Sequence, residues 1–518
     1  MTPPQVNSLD EAQQVIAELT QTVAQLQSQV AWLKRILNGA KSERMRDDGD
    51  QSDAPGLFEH LGQGEAQAPE PEPPQKQTVT YEREVDPARR RGKRNPIPDD
   101  LPREERIYDL PESEKAGMKR IGEEVSEQLA IDPGRMYVIR HIRYKYARVE
   151  ECLDGSEPNV VVAERPVEGL PRCIAAPSLL AFISVSRFTD HLPFYRQEDI
   201  WQRSGVNLAR SSMCRWNIGL GAMCHPLLEM MKQRVLQSHF MQCDDTPVRQ
   251  QMGAGLPGPR GPTKQCYFYS YIGDEDHPYT LYDYQLSRSR AGPNGWFTDE
   301  QGKPNYHGPL VCDAYTGYAA LFDPEQPWQM IHVGCWAHAR RKFYDARLQS
   351  PGPCHYVLGR IRTLYAIERQ AQEQELSHEE RQVLRDQRSR PIVEELLAWC
   401  TEQHNQVLPR SGLGEAVTYM LGQAQSLQRY LDDGRLPIDN NACERSLRGI
   451  AIGRKNWLFT GSEAGGRAAA AMFSLIASAR RHNLDPLAYL TDVFTRLPAT
   501  PLSQLDQFLP DQWSPPKA

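Results

Sequence analysis

Three acidic side chains, far apart in the chain, could together do chemistry that none does alone. Asp244 stands in Cys243-Asp244-Asp245-Thr246-Pro247, Asp313 in Val311-Cys312-Asp313-Ala314-Tyr315, and Glu444 in Asp439-Asn440-Asn441-Ala442-Cys443-Glu444-Arg445. Carboxylate oxygens are the ligands that hard divalent cations prefer. Acids gathered from distant segments can hold two such ions, which clamp the attacking and leaving oxygens of a phosphodiester during in-line displacement. One Asp in a strand is ordinarily a turn or solvated-edge residue; here the neighbours argue otherwise. Asp313 follows the apolar run Pro309-Leu310-Val311-Cys312 and Asp244 follows Phe240-Met241, so each sits where a buried strand would deliver it to a rim. Glu444 reads as helical, beside Arg445, Arg448, Arg454 and Lys455, a basic surround suited to phosphate. The chemistry this set could do is the cutting or joining of nucleic acid.

Those acids need a sheet and a helix to bring them together. Aromatic-rich runs at 266–272 and 279–284, joined by the turn Gly273-Asp274-Glu275-Asp276, predict two strands that form an antiparallel meander with the strand ending at Asp244. Runs at 310–312 and 331–334 extend the sheet, with helical material around Trp296 crossing over; several α/β folds share this order. Between Asp313 and Glu444 the pattern turns helical. Val357, Leu358, Ile361, Leu364 and Tyr365 share one face, as do Ile392, Val393, Leu396, Leu397 and Trp399, which predicts an inserted all-helical subdomain. The charged stretch from Glu368 to Arg390 is expected to form solvated helical arms. Helices around 468–476 are expected to cover the core.

Upstream, Leu9, Ile16, Val23, Val30 and Leu37 recur every seventh residue with Ala12, Leu19, Leu26 and Leu33 between them, the seam of a two-stranded parallel coiled coil. The same stripe could instead pack on its own core. A Pro-rich, acid-rich linker follows, and within it Arg89-Arg90-Arg91-Gly92-Lys93-Arg94 is either a phosphate-neutralising run or a solvated one. From Pro177 onward a helix, a Gly-containing turn at Ser204-Gly205 and a helix opening with Arg210, Ser211, Ser212 and Arg215 fit helix-turn-helix geometry, although plain helical hairpins share the pattern. With 518 residues, 25% charged and a net charge of −7, the chain can hold several domains but carries no global basic field, so DNA contacts must come from local patches. Its 11 cysteines include no Cys-x-x-Cys pair, which speaks against a disulfide framework, and no long apolar run suggests a membrane span. A cytoplasmic protein is expected.

The runs Asp-Asp-Thr-Pro-Val at 244–248, Cys-Trp-Ala-His-Ala-Arg-Arg-Lys-Phe at 335–343, Ile-Asp-Asn-Asn-Ala-Cys-Glu-Arg at 438–445 and Gly-Arg-Lys-Asn-Trp-Leu-Phe at 453–459 resemble, in order and spacing, the IS66 family of bacterial insertion-sequence transposases. The resemblance implies a DDE transposase, multidomain and of mixed α+β and α/β class, with an RNase H-like catalytic core. Its expected organisation is a coiled coil at 8–39, a disordered linker at 40–110, a degenerate zinc-finger-like β module at 111–175 and helix-turn-helix-like helices at 176–230. The first part of the core follows at 236–345, a helical insertion at 346–435, the core helix with Glu444 and C-terminal helices at 436–497, and a tail at 498–518.

The same resemblance makes Asp244, Asp313 and Glu444 the catalytic and metal residues, holding two Mg²⁺ or Mn²⁺ ions. The implied reaction is strand cleavage and strand transfer at element ends. Arg210, Ser211, Ser212, Arg215, His338, Arg340, Arg341, Arg445, Arg448, Arg454 and Lys455 are the expected DNA contacts, with core packing as the alternative for His338. Asp244 rather than Asp245 is favoured because related sequences commonly read Asp-Glu-Thr here, and adjacent strand residues face opposite sides. The implied partners are terminal-repeat and target DNA and a second copy through the coil, with room for accessory proteins of the same element and no membrane; the implied location is the bacterial nucleoid. Where the family places paired cysteines, this chain has Glu114-Lys115-Ala116-Gly117-Met118 and then only Cys152, so a metal-free module and no zinc are expected. Two other readings stay open: an inactive relative that only binds DNA, and a nuclease sharing the core.

Overall fold

The structure, a computed structural model, describes residues 97, 99, 101–111, 118–132, 135–148, 160–164, 167, 169–170, 173–252 and 263–515. The coiled-coil reading at 8–39, the basic run from Arg89 to Arg94 and Cys152 lie outside these residues.

Two sheets organise what is described. The first holds β1 (Arg103–Tyr108), the long hairpin of β2 (Met118–Asp132) and β3 (Arg135–Arg148), and β4 (Val160–Val162), in the order β1-β3-β2 with β4 also on β3. β1 corrects the linker reading, which ran to residue 110. Its sequence Arg-Glu-Glu-Arg-Ile-Tyr lacks the apolar alternation that marks a half-buried strand. It is held instead by parallel backbone pairing to β3, by Arg140 to Glu105 at 3.0 Å and by Tyr108 Oη to His141 Nδ1 at 3.1 Å.

The second sheet has the order β7-β6-β5-β8-β9, built from β5 (Met241–Gln251), β6 (Thr263–Ile272), β7 (Thr280–Gln285), β8 (Pro309–Cys312) and β9 (Ile331–Gly334). β5, β6 and β7 pair antiparallel; β8 runs parallel to β5, and β9 parallel to β8. Apolar and aromatic side chains at Phe268, Tyr269, Tyr271, Leu310 and Val311 are fully buried, as expected for central strands covered on both faces.

One face is covered by helices α1 (Pro177–Phe188), α2 (Phe194–Arg203), α3 (Arg210–Met223) and α4 (His225–Val235), together with two from the end of the chain. A short helix, α5 (Ala291–Trp296), stacks Trp296 on Tyr271 with ring centroids 3.8 Å apart. The turn between α2 and α3 passes through Gly205 at φ +77°, a conformation that costs glycine least. Further on, α3 meets the alanine-rich stretch of a later helix so closely that a Cβ on Gly221 would lie 2.8 Å from the Ala468 Cα.

β9 leads into α6 (Trp336–Ala346), and the helical insertion follows with α7 (Pro351–Glu373), α8 (His378–Leu384), α9 (Arg390–His404) and α10 (Gly412–Gly422). Its apolar face is one cluster with Val311 and Val333 of β8 and β9, so the insertion builds its core on the edge of the sheet. The charged stretch from Glu368 to Arg390 departs from the solvated-arm expectation. Arg385 is fully buried, paired to Glu368 at 2.6 Å, and donates to the carbonyls of Tyr430, Asp433 and Leu436. A buried guanidinium needs every donor satisfied, and the turn at 430–436 folds around this one to do so. The chain closes with α11 (Asn441–Trp457), α12 (Glu463–Arg481) and α13 (Pro486–Arg496). No described helix is long and apolar enough to cross a membrane.

Candidate active site

β5 and β8 run side by side in parallel, with Met241 opposite Leu310 and Gln242 opposite Val311, so Asp244 lies level with Asp313, which follows β8; the strand expected to end at Asp244 instead runs on to Gln251, paired there to β6. Glu444 arrives from the first turn of α11. That helix is fastened to the strand carrying Asp244. The fully buried Asn440 donates from Nδ2 to the carbonyl of Cys243 at 2.9 Å, Cys443 Sγ donates to the carbonyl of Ser270, and Ser446 Oγ bonds Ser270 Oγ at 2.8 Å. Farther along, Arg454 donates to Thr246 Oγ1 at 3.1 Å and to the carbonyl of Pro247. Arg454, expected on DNA, therefore spends donors on β5.

Asp313 and Glu444 are near enough for their charges to act on Asp244. Burial pushes the Asp244 carboxyl up to about 8; the backbone N–H of Asp245, 2.8 Å from Oδ1, opposes this, and the nearby charges of Asp313 and Glu444 add to it. Its neighbour is differently placed. Asp245 Oδ2 accepts from Arg288 Nε at 2.6 Å, and that guanidinium lies 3.8 Å from the centre of the Tyr315 ring. Burial still raises the Asp245 carboxyl despite the arginine. Both carboxylates feel Asp313, but Asp245 has a cation of its own, whereas Asp244 has none among the described residues and also feels Glu444. Arg288 was missed by sequence reasoning, since nothing in Ser-Arg-Ser-Arg marks which arginine folds back to β5. Asp313 Oδ1 accepts from the backbone N–H of Tyr315 at 3.1 Å.

Beyond the acids, β9 leads into α6, whose first turn brings His338 Nδ1 to 3.6 Å from Glu444 Oε1. Arg341 is exposed on that helix and Arg340 half-buried near Tyr344. On α11, Arg445, Arg448 and Lys455 are exposed, three and then seven residues apart, spacings that share a helix face. On α3, Arg210, Ser211 and Arg215 are exposed and Ser212 is half-buried; the backbone N–H of Arg210 is taken by Glu198 Oε1 at 3.0 Å.

With this geometry in place, comparison with known proteins is decisive. A family model described as "Transposase IS66 family" matches residues 172–468, spanning all three acids, and one for the "IS66 C-terminal element" matches 474–510. The chain belongs to the IS66 transposase family. It is similar to relatives in Sinorhizobium fredii (strain NBRC 101917 / NGR234) that are described as uncharacterized. Uncharacterized protein y4jD is 31% identical over 527 residues, covering 96% of each chain. Uncharacterized protein y4qI is 32% identical over 431 residues, covering 79% of this chain and 76% of the relative. A further model, "Transposase C of IS166 homeodomain", matches 25–106 of this IS66-family chain.

One match corrects the sequence reading. The "zinc-finger binding domain of transposase IS66" matches 113–147, so this segment belongs to a zinc-binding module family, against the expectation of no zinc. Counting cysteines misjudged it, because the matched residues resemble the domain without containing any. The one histidine there, His141, has Nδ1 bonded to Tyr108 Oη and Nε2 to Gln128 Oε1 at 3.0 Å. The described residues of the segment do not by themselves make up a zinc ligand set.

Proposed function

We propose that this IS66-family protein is a DDE transposase that cuts and joins DNA strands at the ends of an insertion element, with Asp244, Asp313 and Glu444 as its metal-binding acids. The observation that carries the reading is the Asp244 carboxyl, held up to about 8 by burial and by the charges of Asp313 and Glu444. Acids so arranged repel one another until a cation is shared, and an all-carboxylate donor set suits Mg²⁺ or Mn²⁺. Two such ions, when bound, supply the charge that stabilises attacking and leaving oxygens in phosphoryl transfer. The protein's own part is to hold the acids: Asn440 and Ser446 fix the Glu444 helix against β5 and β6, and Arg288 keeps Asp245 out of the set.

The strand order, three antiparallel strands followed by two parallel ones, supports an RNase H-like core. Arg445, Arg448 and Lys455 on the helix of the third acid, with His338, Arg340 and Arg341 opposite, are the proposed contacts for the cleaved strand. Arg210, Ser211, Ser212 and Arg215 are those for the element end. Residues 8–39 would pair two copies.

The test uses the purified full chain and DNA flanking its own gene. Asp244→Asn, Asp313→Asn and Glu444→Gln should each abolish Mg²⁺-dependent cleavage while leaving DNA binding nearly intact, because phosphate contacts remain when metal ligands are lost. Retained cleavage in any of the three overturns the assignment. DNA binding without nicking by the wild type would identify a DNA-binding relative, and nicking without strand joining a nuclease.

A further inference from the structure

Beside the acid triad stands a cluster of softer chemistry. Cys335, His338 and Glu444 each present a ligand atom, and the three atoms lie within 4.8 Å of one another. Cys335 is the N-cap residue of α6, and the backbone N–H groups of Asn440, at 3.3 Å, and of His338 both point at its buried sulfur. Burial pushes the Cys335 thiol up to about 12 against the pull of these two donors, so the sulfur holds its proton until a cation displaces it. His338 lies one turn on. Its Nδ1 is shut off from solvent, has no hydrogen-bond partner and faces Glu444 Oε1 at 3.6 Å. A ring nitrogen left without a donor or acceptor, with a thiol and a carboxylate on either side, is what a ligand set lacks only a cation to complete.

The spacing fits. Bonds of about 2.3 Å to sulfur and about 2.0–2.2 Å to nitrogen and oxygen, at tetrahedral angles, set ligand atoms roughly 3.3–3.8 Å apart. The His338 to Glu444 distance is already in that range. A sulfur ligand turns the preference away from Mg²⁺ towards a thiophilic ion.

We propose that Cys335, His338 and Glu444 form a three-ligand site for a thiophilic divalent cation of the zinc class, with water completing its coordination. Binding releases the thiol proton to solvent and changes no oxidation state. The site is separate from the module matched at 113–147. Its consequence rests on the proposed active site: Glu444 serves both ligand sets, so an ion held by Cys335 and His338 takes the third acid from the Mg²⁺ pair and stops cleavage.

Titration of the full-length chain with Co²⁺ tests the site without any need for activity. Wild type should develop a sulfur-to-cobalt charge-transfer band and tetrahedral visible bands; Cys335→Ser should remove that band's contribution, and His338→Gln should weaken Co²⁺ binding roughly tenfold or more. Asp244→Asn should leave both spectra unchanged. Where Mg²⁺ supports cleavage, the Zn²⁺ concentration that halves it should rise roughly tenfold or more in Cys335→Ser. A cobalt spectrum indifferent to both Cys335→Ser and His338→Gln overturns the proposal, whatever the cleavage result. A Cys335-dependent band in a protein that never cleaves DNA upholds the soft site and sinks the active-site reading instead.

Discussion

Replacing Asp244 by Asn should stabilise the metal-free protein, and increasingly so as pH rises. In the fold its carboxyl titrates at about 8, against 3.8 as the ordinary value. Between those limits the native state keeps a proton that the unfolded chain has lost, so raising the pH through this window costs native stability. At about 1.4 kcal/mol per unit, the four-unit gap sets a ceiling near 6 kcal/mol at pH 8 and about 1.6 kcal/mol at pH 5. Asp244 keeps part of its surface open to water, and screening lowers these to roughly 2–3 kcal/mol and under 1 kcal/mol. Asparagine has the same shape and no titration. Urea unfolding in excess EDTA should therefore show Asp244→Asn ahead of wild type by a small margin at pH 5 and a clear one at pH 8, and adding Mg²⁺ should raise wild type alone. An equal margin at both pH values, or a variant less stable at pH 8, would refute the account of crowded acids.

Asp245→Asn should retain measurable cleavage yet lose about 1–3 kcal/mol in denaturant melts, because it leaves Arg288 short of its partner at 2.6 Å. Arg385→Ala, which strands Glu368 among the insertion helices, should cost about 3–5 kcal/mol, read as a lowered urea midpoint. Asn440→Ala removes the bond to the Cys243 carbonyl; it should cost about 1–3 kcal/mol and slow cleavage with little change in DNA affinity, measured by gel shift. Deleting residues 1–40 should lower the mass seen in light scattering, since the seam of Ile16, Leu19, Val23 and Leu26 has no polar interruption; an unchanged mass would remove the coil from the assembly.

The strands of the second sheet could be read from the sequence because burial on both faces demands continuous apolar or aromatic runs, as at 309–312 and 266–272. Asp313 does follow such a run, whereas Asp244 stands near the start of β5, which runs on to Gln251 and not to an end at the acid. β1 could not be read, since a strand held by backbone pairing and charge pairs leaves no apolar period. Arg288, Arg385 and Asn440 were equally hidden: polar residues find their buried partners only when distant segments meet, and composition looks the same whether an arginine is solvated or enclosed. The zinc expectation failed for a related reason. Absent cysteines say what a segment cannot ligate alone, and they do not say which domain family its pattern of strands belongs to.

The bond from Asn440 to Cys243 joins residues 197 positions apart in sequence. The insertion lies between the second acid and the third, and its core is continuous with β8 and β9. A chain emerging from synthesis could therefore form the five-stranded sheet and seat two acids while the third is still unmade. Completion waits for the insertion to settle on the sheet edge, and only then can Asn440 latch the last helix in place. Any product that stops short of residue 441 would carry the five-stranded sheet and α3, proposed above to contact the element end, but not the third of the proposed catalytic acids. If α3 binds the element end as proposed, such a fragment would compete there with the full protein, and premature termination within one gene would act as a brake on its own element.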